Sequence, residues 1–246
     1  MKSPKQMLIM VVTLIIGMFF ISNSAMSQQM KLVSVKTKSP IVLDAFQEKA
    51  WSKAKALKVV LDETPYKPSN GYDGMKETTV SIKSLYNKSS IYFYIQWDDP
   101  TKSLARFPWI KQGNGSWKQS MSKDSTGHDN SFYEDKLGIY WEIKAQGFKK
   151  KGCDVSCHIA EDGKVDGIKD TSAGRKYTKL AGETIDMWHW KGVRTNPLGL
   201  FDDQFVDSTK DPKKNKNWGR KGDDKIGGGY KNNINKAKTG PVFMNS

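Results

Sequence analysis

The chain has 246 residues, with 40 lysines and arginines against 26 aspartates and glutamates, which gives a net charge of +14. This length suits one domain with a sizeable core, and the basic excess predicts acidic partners without indicating a fold. Only two cysteines are present, which excludes a disulfide-stabilised scaffold, and no nucleic-acid motif accompanies the positive charge, so we expect no nucleic-acid partner.

Residues 1–27 have the pattern of a secretory signal peptide. Two lysines precede an apolar run over 7–21, and a short stretch of small and polar residues follows it. This order is typical of export signals, and we expect cleavage after Ser27. The apolar run is shorter than the about 20 residues that a membrane-spanning helix needs, and an uncleaved anchor is the alternative. We therefore expect a periplasmic protein with a single domain over 28–246 and no membrane span after cleavage.

Alternation of apolar and polar residues predicts strands along much of the chain. After one short helix predicted between Phe46 and Leu57, alternating runs over 80–83 and 91–97 flank a polar turn, which predicts a β-hairpin. A third alternating run covers 137–143. Such period-two patterns with aromatic and β-branched residues predict antiparallel sheets packed face to face. The predicted fold class is all-β, an antiparallel β-sandwich.

Two long segments, 101–130 and 208–240, are rich in glycine, lysine and polar residues and are predicted to be loops. Long loops in a small domain are usually functional or disordered. We expect these loops to wrap a cofactor, because Trp117, Trp218 and Tyr230 are embedded in them. A solvated basic tail is the alternative for the part up to residue 225.

The two cysteines and the histidine that follows them form the pattern C-x-x-x-C-H at Cys153, Cys157 and His158. The ordinary attachment signal of c-type haem is C-x-x-C-H, in which two thiols add to the haem vinyl groups and the histidine binds the iron. A looser turn accommodates the extra residue, and covalent attachment fits an exported protein. We therefore predict one covalent haem c with His158 as an iron ligand. A Cys153–Cys157 disulfide and a zinc site are the alternatives.

The second iron ligand is predicted on the segment that reads Asp-Met-Trp-His-Trp-Lys. In an extended strand Met187, His189 and Lys191 share one face, while Trp188 and Trp190 lie on the other. His189 is favoured because neutral imidazole is the commonest metal-binding side chain. Met187 and Lys191 stay open as ligands, and a buried, hydrogen-bonded structural role stays open for His189.

Other residues near this segment have a cofactor-binding and a structural interpretation. Arg194 fits a bidentate contact with a haem propionate, or an ion pair with Asp202 or Asp203. The two tryptophans fit the surroundings of a haem or the core of any sandwich. The remaining histidine, His128, lies in a polar loop and is predicted to be a surface residue.

Several strings resemble the haem-binding domain family typified by the ethylbenzene dehydrogenase γ subunit. They span about residues 40 to 245 and are Leu43-Asp44-Ala45 with Ala50-Trp51, Trp97-Asp98-Asp99-Pro100-Thr101, Tyr133-Glu134-Asp135-Lys136-Leu137, and Asp186-Met187-Trp188-His189-Trp190-Lys191 with Arg194 following. The resemblance implies an immunoglobulin- or jelly-roll-like β-sandwich, similar to a family-9 carbohydrate-binding module, with haem between loops at one end. It also implies electron transfer, since such γ subunits serve molybdenum enzymes of the dimethylsulfoxide reductase type.

The chain departs from those γ subunits in its haem-binding residues. Those γ subunits hold a non-covalent b-type haem between a methionine and a lysine. This chain instead has the C-x-x-x-C-H pattern and no methionine between Leu137 and Ile143. It therefore resembles family members that are c-type cytochromes. The b-type ligand pair is not carried over, although Lys191 stays a candidate.

Together these features predict a periplasmic monohaem c-type cytochrome that transfers single electrons, as a haem subunit or partner of a molybdenum oxidoreductase. Two axial ligands leave no iron position for substrate, so we expect no catalysis of its own. The basic surface predicts an acidic redox partner. Two other functions stay open: a haem-based sensor or ligand binder with a weak sixth ligand, and a haem-free carbohydrate-binding-like module that uses exposed Trp109 and Trp117.

Overall fold

The computed structural model describes residues 30–43, 49–62, 74–123, 129, 131–158, 164–169, 175–211, 213, 218–223 and 230–242. The chain divides into two compact units. The first contains the segment up to Leu61 together with Thr79–Asp98, and the second contains the rest. The predicted signal peptide and His128 lie outside the described residues, and the single domain over 28–246 stays a prediction.

The first unit contains one four-stranded sheet. Its strands are β1 (Val35–Lys36), β2 (Leu57–Leu61), β3 (Thr78–Tyr86) and β4 (Ile91–Trp97). Strand β3 pairs with β2 and β4 and, in parallel, with β1. The predicted hairpin is confirmed as β3–β4, and its turn is closed by Asn87, whose side-chain oxygen accepts 2.9 Å hydrogen bonds from the backbone N–H groups of Ser89 and Ser90.

The helix predicted between Phe46 and Leu57 is wrong in length and type. The structure has a 3₁₀ helix at Lys49–Lys53, and Leu57 already begins β2. Trp51 and Ala54 nevertheless form the buried core of this unit together with Leu85. Five residues are too few for a stable α-helix, so packing of the indole determines the local structure here.

The second unit is built on another four-stranded sheet, of order β14-β13-β12-β7 and antiparallel throughout. Its strands are β5 (Trp109–Lys111), β6 (Trp117–Gln119), β7 (Lys136–Lys144), β8 (Cys157–His158), β9 (Lys164–Val165), β10 (Ile168–Lys169), β11 (Arg175–Lys176), β12 (Thr184–Lys191), β13 (Asp202–Val206) and β14 (Arg220–Gly222). The helix α1 (Phe148–Lys151) and 3₁₀ helices at Gly152–Ser156 and Asn196–Leu198 complete it. Strands β5–β6, β8–β11 and β9–β10 form two-stranded ribbons.

One face of this sheet, here called the core face, is largely buried. The register places on it Lys136, Gly138, Tyr140, Ile185, Met187, His189, Lys191, Asp202, Gln204, Val206 and Arg220. The apolar members pack with Ala145 into a cluster that Phe148 and Val155 cover. The opposite face carries Trp141 and Trp188, whose rings lie 5.0 Å apart. The predicted alternation in β7 and β12 is therefore confirmed.

Both segments predicted to be loops contain strands. Residues 101–130 include the hairpin β5–β6, whose turn places Gly115 at a φ of 82° that favours glycine. In the second segment β14 joins the sheet and Trp218 is buried, so the alternative of a solvated tail up to residue 225 is wrong for its described part. The described residues form mostly strands and one short α-helix. The fold therefore confirms the predicted all-β class and agrees with an antiparallel β-sandwich.

Candidate functional site

The cysteine motif follows β7 and lies over the core face of the second sheet. Gly147 and Gly152 take positive φ values of 85° and 55°, which turns the chain into and out of α1. Val155, between the two cysteines, then packs against the apolar cluster that contains Met187. The motif is thus fixed next to one end of the core face by the side chain at its centre.

Both cysteine thiols are free and close to each other. Cys153 is exposed, Cys157 is half-buried, and burial together with the neighbouring Cys157 raises the pKa of Cys153. Cys157 pairs with Lys176 across β8–β11, and the ammonium group of Lys176 donates to its sulfur at 3.3 Å. Tyr140 of the core face lies on the same side, with its ring centroid 5.9 Å from that ammonium. The Cys157 thiol therefore faces the sheet.

His158 lies on the other side of the β8–β11 ribbon. Its ring stacks on that of Tyr177, with centroids 3.8 Å apart and planes 5° from parallel, and its Nε2 lies 3.3 Å from the Tyr177 carbonyl oxygen. Successive residues of an extended strand point to opposite sides, and Cys157 is extended. Burial lowers the pKa of His158, which favours a neutral imidazole. In this arrangement the thiols and the imidazole do not converge on one point.

His189 is the core-face residue best suited to bind a metal. Its Nδ1 is buried and has no hydrogen-bond partner among the residues that the structure describes. Burial, followed by the charges of Lys191 and Lys136, lowers its pKa to about 2, so the ring is neutral. Gly138 stands opposite it in β7 and adds no side chain next to the ring. A buried, neutral, unpartnered nitrogen is rare in proteins and suits an iron ligand.

The other two ligand candidates on β12 are already engaged. Met187 is packed in the apolar cluster. Lys191 forms a buried ion pair with Asp202, and its ammonium lies 4.4 Å from the centroid of the Tyr230 ring. Burial lowers its pKa to about 8 although Asp202 opposes the shift. As an iron ligand Lys191 would have to leave its carboxylate, so the geometry favours His189.

Beyond His189 the core face ends in a group of cations, here called the cation cluster. Its members are Arg106, Lys136, Lys191, Arg194 and Arg220, and they act on one another's ionisation or on that of His189. Two carboxylates, Glu134 and Asp202, pair with them. A group of cations this close together attracts negative charge and suits an anionic ligand.

Arg194 is paired differently from the sequence-based alternatives. Its Nε donates to Glu134 at 2.5 Å, and its backbone N–H donates to the same carboxylate at 3.0 Å. Neither Asp202 nor Asp203 is its partner in these contacts. The guanidinium also lies 5.3 Å from the centroid of the Tyr230 ring.

The tryptophans proposed to contact a cofactor are apart from these residues. Trp188 and Trp190 point away from the core face. On that opposite face Trp190 donates a hydrogen bond to the side chain of Asn196 at 3.2 Å. Trp109 and Trp117 are half-buried rather than exposed, and Trp109 donates to the backbone of Asn233 at 2.7 Å. Neither pair is brought to the cysteines, and the expectation of two exposed aromatics for sugar binding is wrong.

Taken together, the core face fits a haem and the motif fits it in part. An unpartnered imidazole nitrogen and a neighbouring group of cations suit a haem, whose iron binds imidazole and whose two propionates are anionic. The Cys157 thiol lies towards the Met187 end of the same face. His158 is directed elsewhere. Within the described ranges no cluster of three or more His, Cys, Asp or Glu residues suits a bare metal ion.

Comparisons with known proteins place the chain in one family. Neither the comparison with curated proteins nor that with solved structures gives a match. Among the described residues no helix is long and apolar enough to cross a membrane. The sequence model described as ethylbenzene dehydrogenase matches residues 48–246, which is most of the chain, and confirms the resemblance seen in the sequence. The chain belongs to the ethylbenzene dehydrogenase family.

Proposed function

We propose that the chain is a periplasmic monohaem c-type cytochrome that transfers single electrons. Its haem would be attached at Cys153 and Cys157, with His158 and His189 as iron ligands. His158 would have to leave its stacking contact with Tyr177 and turn to the side of the thiols to reach the iron. The observation that carries the proposal is the buried, unpartnered nitrogen of His189 on the sheet face that the C-x-x-x-C-H segment covers. The bound haem would supply an iron that gains and loses one electron.

The residues of the chain have three tasks in this function. Cys153 and Cys157 fix the group at the Met187 end of the core face. The apolar cluster and Tyr140 exclude water from that end, and burial is one of the factors that set a haem's reduction potential. The cation cluster would neutralise the haem propionates at the other end of the core face, where Arg194 and Lys136 lie close to His189.

The partner we propose is a molybdenum oxidoreductase that the chain serves as haem subunit or electron carrier. Family membership supports this, because ethylbenzene dehydrogenase is the name of an oxidoreductase. The net charge of +14 favours an acidic docking surface on the partner. With two protein ligands on the iron, the chain would not catalyse a reaction of its own. The signal pattern in residues 1–27 supports export to the periplasm.

Haem retention after denaturation tests the proposal. The full chain is produced in a host that matures haem c and denatured in acid acetone, and the pyridine haemochrome of the protein fraction is recorded. We expect haem to stay with the wild-type chain and to be lost from the Cys153→Ala/Cys157→Ala variant. Asp154→Ser, an exposed change between the cysteines, is the control and keeps its haem. Haem that washes out of the wild-type chain, or a chain without haem, contradicts the proposal.

The ligand assignment has a separate test. In the haem-loaded chain, His189→Ala is expected to convert the low-spin iron spectrum to a high-spin one. Met187→Leu and Lys191→Arg are matched controls on the same face and leave it low-spin. If Lys191→Arg, rather than His189→Ala, gave the high-spin spectrum, Lys191 would be the iron ligand.

A further inference from the structure

The sheet of the second unit ends on one side in a long strand with an open edge. Its two outermost strands are β14, which has three residues, and β7, which has nine. Among the described strands β7 pairs with β12 alone, and a bridge from Leu104 covers only Glu134, just before β7 begins. The outer side of β7 is therefore a template onto which a further strand can pair.

Strand β7 lacks most of the features that prevent such an edge from pairing. Edge strands are usually short, or they carry proline, a bulge or a covering loop. The nine residues of β7 include no proline, and the irregularity in its pairing with β12 lies near its end, at Thr184 and Ile185. Glu142 is exposed, and Ile143 is 65% exposed. A long, exposed edge of this kind indicates that another chain supplies the next strand.

The charges of β7 favour a second copy of the same strand as that partner. Lys136 and Glu142 form no ion pair with any described residue. When two copies of β7 pair antiparallel with Ile139 at the centre, Lys136 of each copy lies opposite Glu142 of the other. With Tyr140 at the centre, Lys136 would instead lie opposite Lys144, and like charges directly opposite each other destabilise a sheet. Charge complementarity thus selects the register centred on Ile139.

The uncharged side chains are also well matched in this register. On the face opposite the core face, Leu137 lies across from Trp141 twice, and Ile139 lies across from its own copy. On the core face, Gly138 lies across from Tyr140, and an aromatic ring opposite a glycine stabilises an edge strand. Aromatic and aliphatic side chains paired across strands contribute further stability. The stretch 136–142 therefore pairs without a like-charge contact.

We propose that two copies of the chain form a dimer through their β7 strands, which pair antiparallel about a two-fold axis at Ile139. The two four-stranded sheets then continue into each other as one sheet of eight strands. Both copies use the same surface, so the interface closes on itself and forms a dimer rather than a filament. The inference goes beyond the proposed function and does not depend on haem.

Sedimentation of the full chain over a series of concentrations tests the dimer. We expect a monomer–dimer equilibrium in which the dimer fraction rises with concentration. Glu142→Lys turns both proposed ion pairs into like-charge contacts, so we expect it to weaken dimerisation about tenfold. The control is Glu77→Lys, the same change of charge at an exposed residue outside β7, which should dimerise like the wild-type chain.

Exchanging the charges between chains tests the register. Lys136→Glu alone should also weaken the dimer, because it places two carboxylates opposite each other at both ends of the pairing. An equimolar mixture of the Glu142→Lys and Lys136→Glu chains should form dimers again, since each lysine then faces a glutamate. Because Lys136 belongs to the cation cluster, circular dichroism checks that its variant is folded. If it is not, Glu142→Lys and its control decide the question.

Amide hydrogen exchange locates the interface on the chain. The backbone N–H groups of β7 should exchange more slowly at high than at low concentration of the wild-type chain, and Glu142→Lys should remove that difference. A chain that stays monomeric throughout the series would overturn the proposal. So would a dimer that Glu142→Lys leaves as stable as Glu77→Lys does, because the two copies would then meet at another surface.

Discussion

The two ends of the core face of β12 differ in what they contribute to the protein. At one end Ile185 and Met187 pack with Val206 and are almost fully buried. At the other, the buried Lys191 and the half-buried His189 lie among arginines and lysines, and the buried Nδ1 of His189 has no partner in the described part of the chain. The same alternation of side chains thus builds a core at one end and a binding site at the other.

The difference has an energetic meaning. Burying an aliphatic side chain such as Ile185 stabilises a fold by about 1.5–3 kcal/mol. A buried polar atom without a partner costs about 1–3 kcal/mol. The apolar end therefore offsets a destabilising charged end, and ligand binding at the charged end would recover part of that cost. Truncating a side chain at the apolar end should therefore lower the stability of the fold. Replacing the unpartnered polar side chain at the charged end should raise it, whereas removing a carboxylate that pairs with the cations should lower it.

The largest effect is expected from Glu134→Gln. The Glu134 side chain is fully buried and accepts from Arg194 and from the backbone N–H of Val193 at 2.8 Å. Removing its charge leaves Arg194 and Arg106 unpaired in a buried region, so we expect a loss of about 3–5 kcal/mol in the free energy of unfolding. Urea denaturation measures it. Glu142→Gln, an exposed change on β7, is the control, and equal stability of the two variants would contradict the role of Glu134.

A somewhat smaller loss is expected at the apolar end. Ile185→Ala removes a side chain with 0% exposure and leaves a cavity in the cluster that Val155 covers, which should cost about 3 kcal/mol. Ile143→Ala, on β7 with 65% exposure, should change stability by no more than about 0.5 kcal/mol. Both are measured by urea unfolding. Similar losses in the two variants would mean that Ile185 does not form the core.

The pH dependence of stability should show the contribution of Glu183, at the start of β12. Hydrogen bonds from the backbone N–H groups of Gln146 at 2.6 Å and Leu180 at 2.8 Å lower the pKa of this carboxyl group. A lowered folded-state pKa gives stability that is present above the ordinary glutamate pKa of about 4.3 and is lost as the pH falls through the folded pKa.

Glu183→Gln should therefore cost about 1.5–3 kcal/mol near pH 7, since two hydrogen bonds to a charge are weakened. The difference from wild type should shrink below about pH 4, as the wild-type carboxylate becomes protonated. Urea unfolding at pH 7 and at pH 3 tests both statements. A difference that is the same at the two pH values would show that the charge has no part in it.

The core face could be predicted from the sequence because its signal is local. A period of two assigns Met187, His189 and Lys191 to one face of a strand whatever the strand packs against. Asp166 and Gly167, which form the turn between β9 and β10, are also a local hairpin signal, although no hairpin was expected there. The aromatic residues of β7 and β12 likewise indicated the sheet class before any pairing was known.

The partners of those side chains could not be predicted. Arg194 is 60 residues from Glu134, and Lys176 is 19 residues from Cys157. Nothing periodic in the sequence relates such distant positions, and Asp202 and Asp203 were equally acceptable partners for the arginine. The C-x-x-x-C-H pattern specifies chemistry but not the direction of the His158 ring, which depends on how β8 pairs with β11.

The smallest effect is the most informative, because its sign is unusual for a buried residue. In the haem-free Cys153→Ala/Cys157→Ala background, His189→Leu replaces an unpartnered imidazole beside cations with an apolar side chain of similar size. We expect the free energy of unfolding to rise by about 1 kcal/mol, since the cost of the unpartnered nitrogen is removed. Met187→Leu, on the same face, should instead lose up to about 1.5 kcal/mol. With haem attached, the sign for His189→Leu should reverse, because the bond between the iron and His189 would form only in the folded chain and the variant would lose it. Thermal and urea unfolding of these variants and their parents, without and with haem, tests this. Destabilisation by His189→Leu in the haem-free chain would show that His189 is a structural core residue rather than a ligand held in place at a cost in stability.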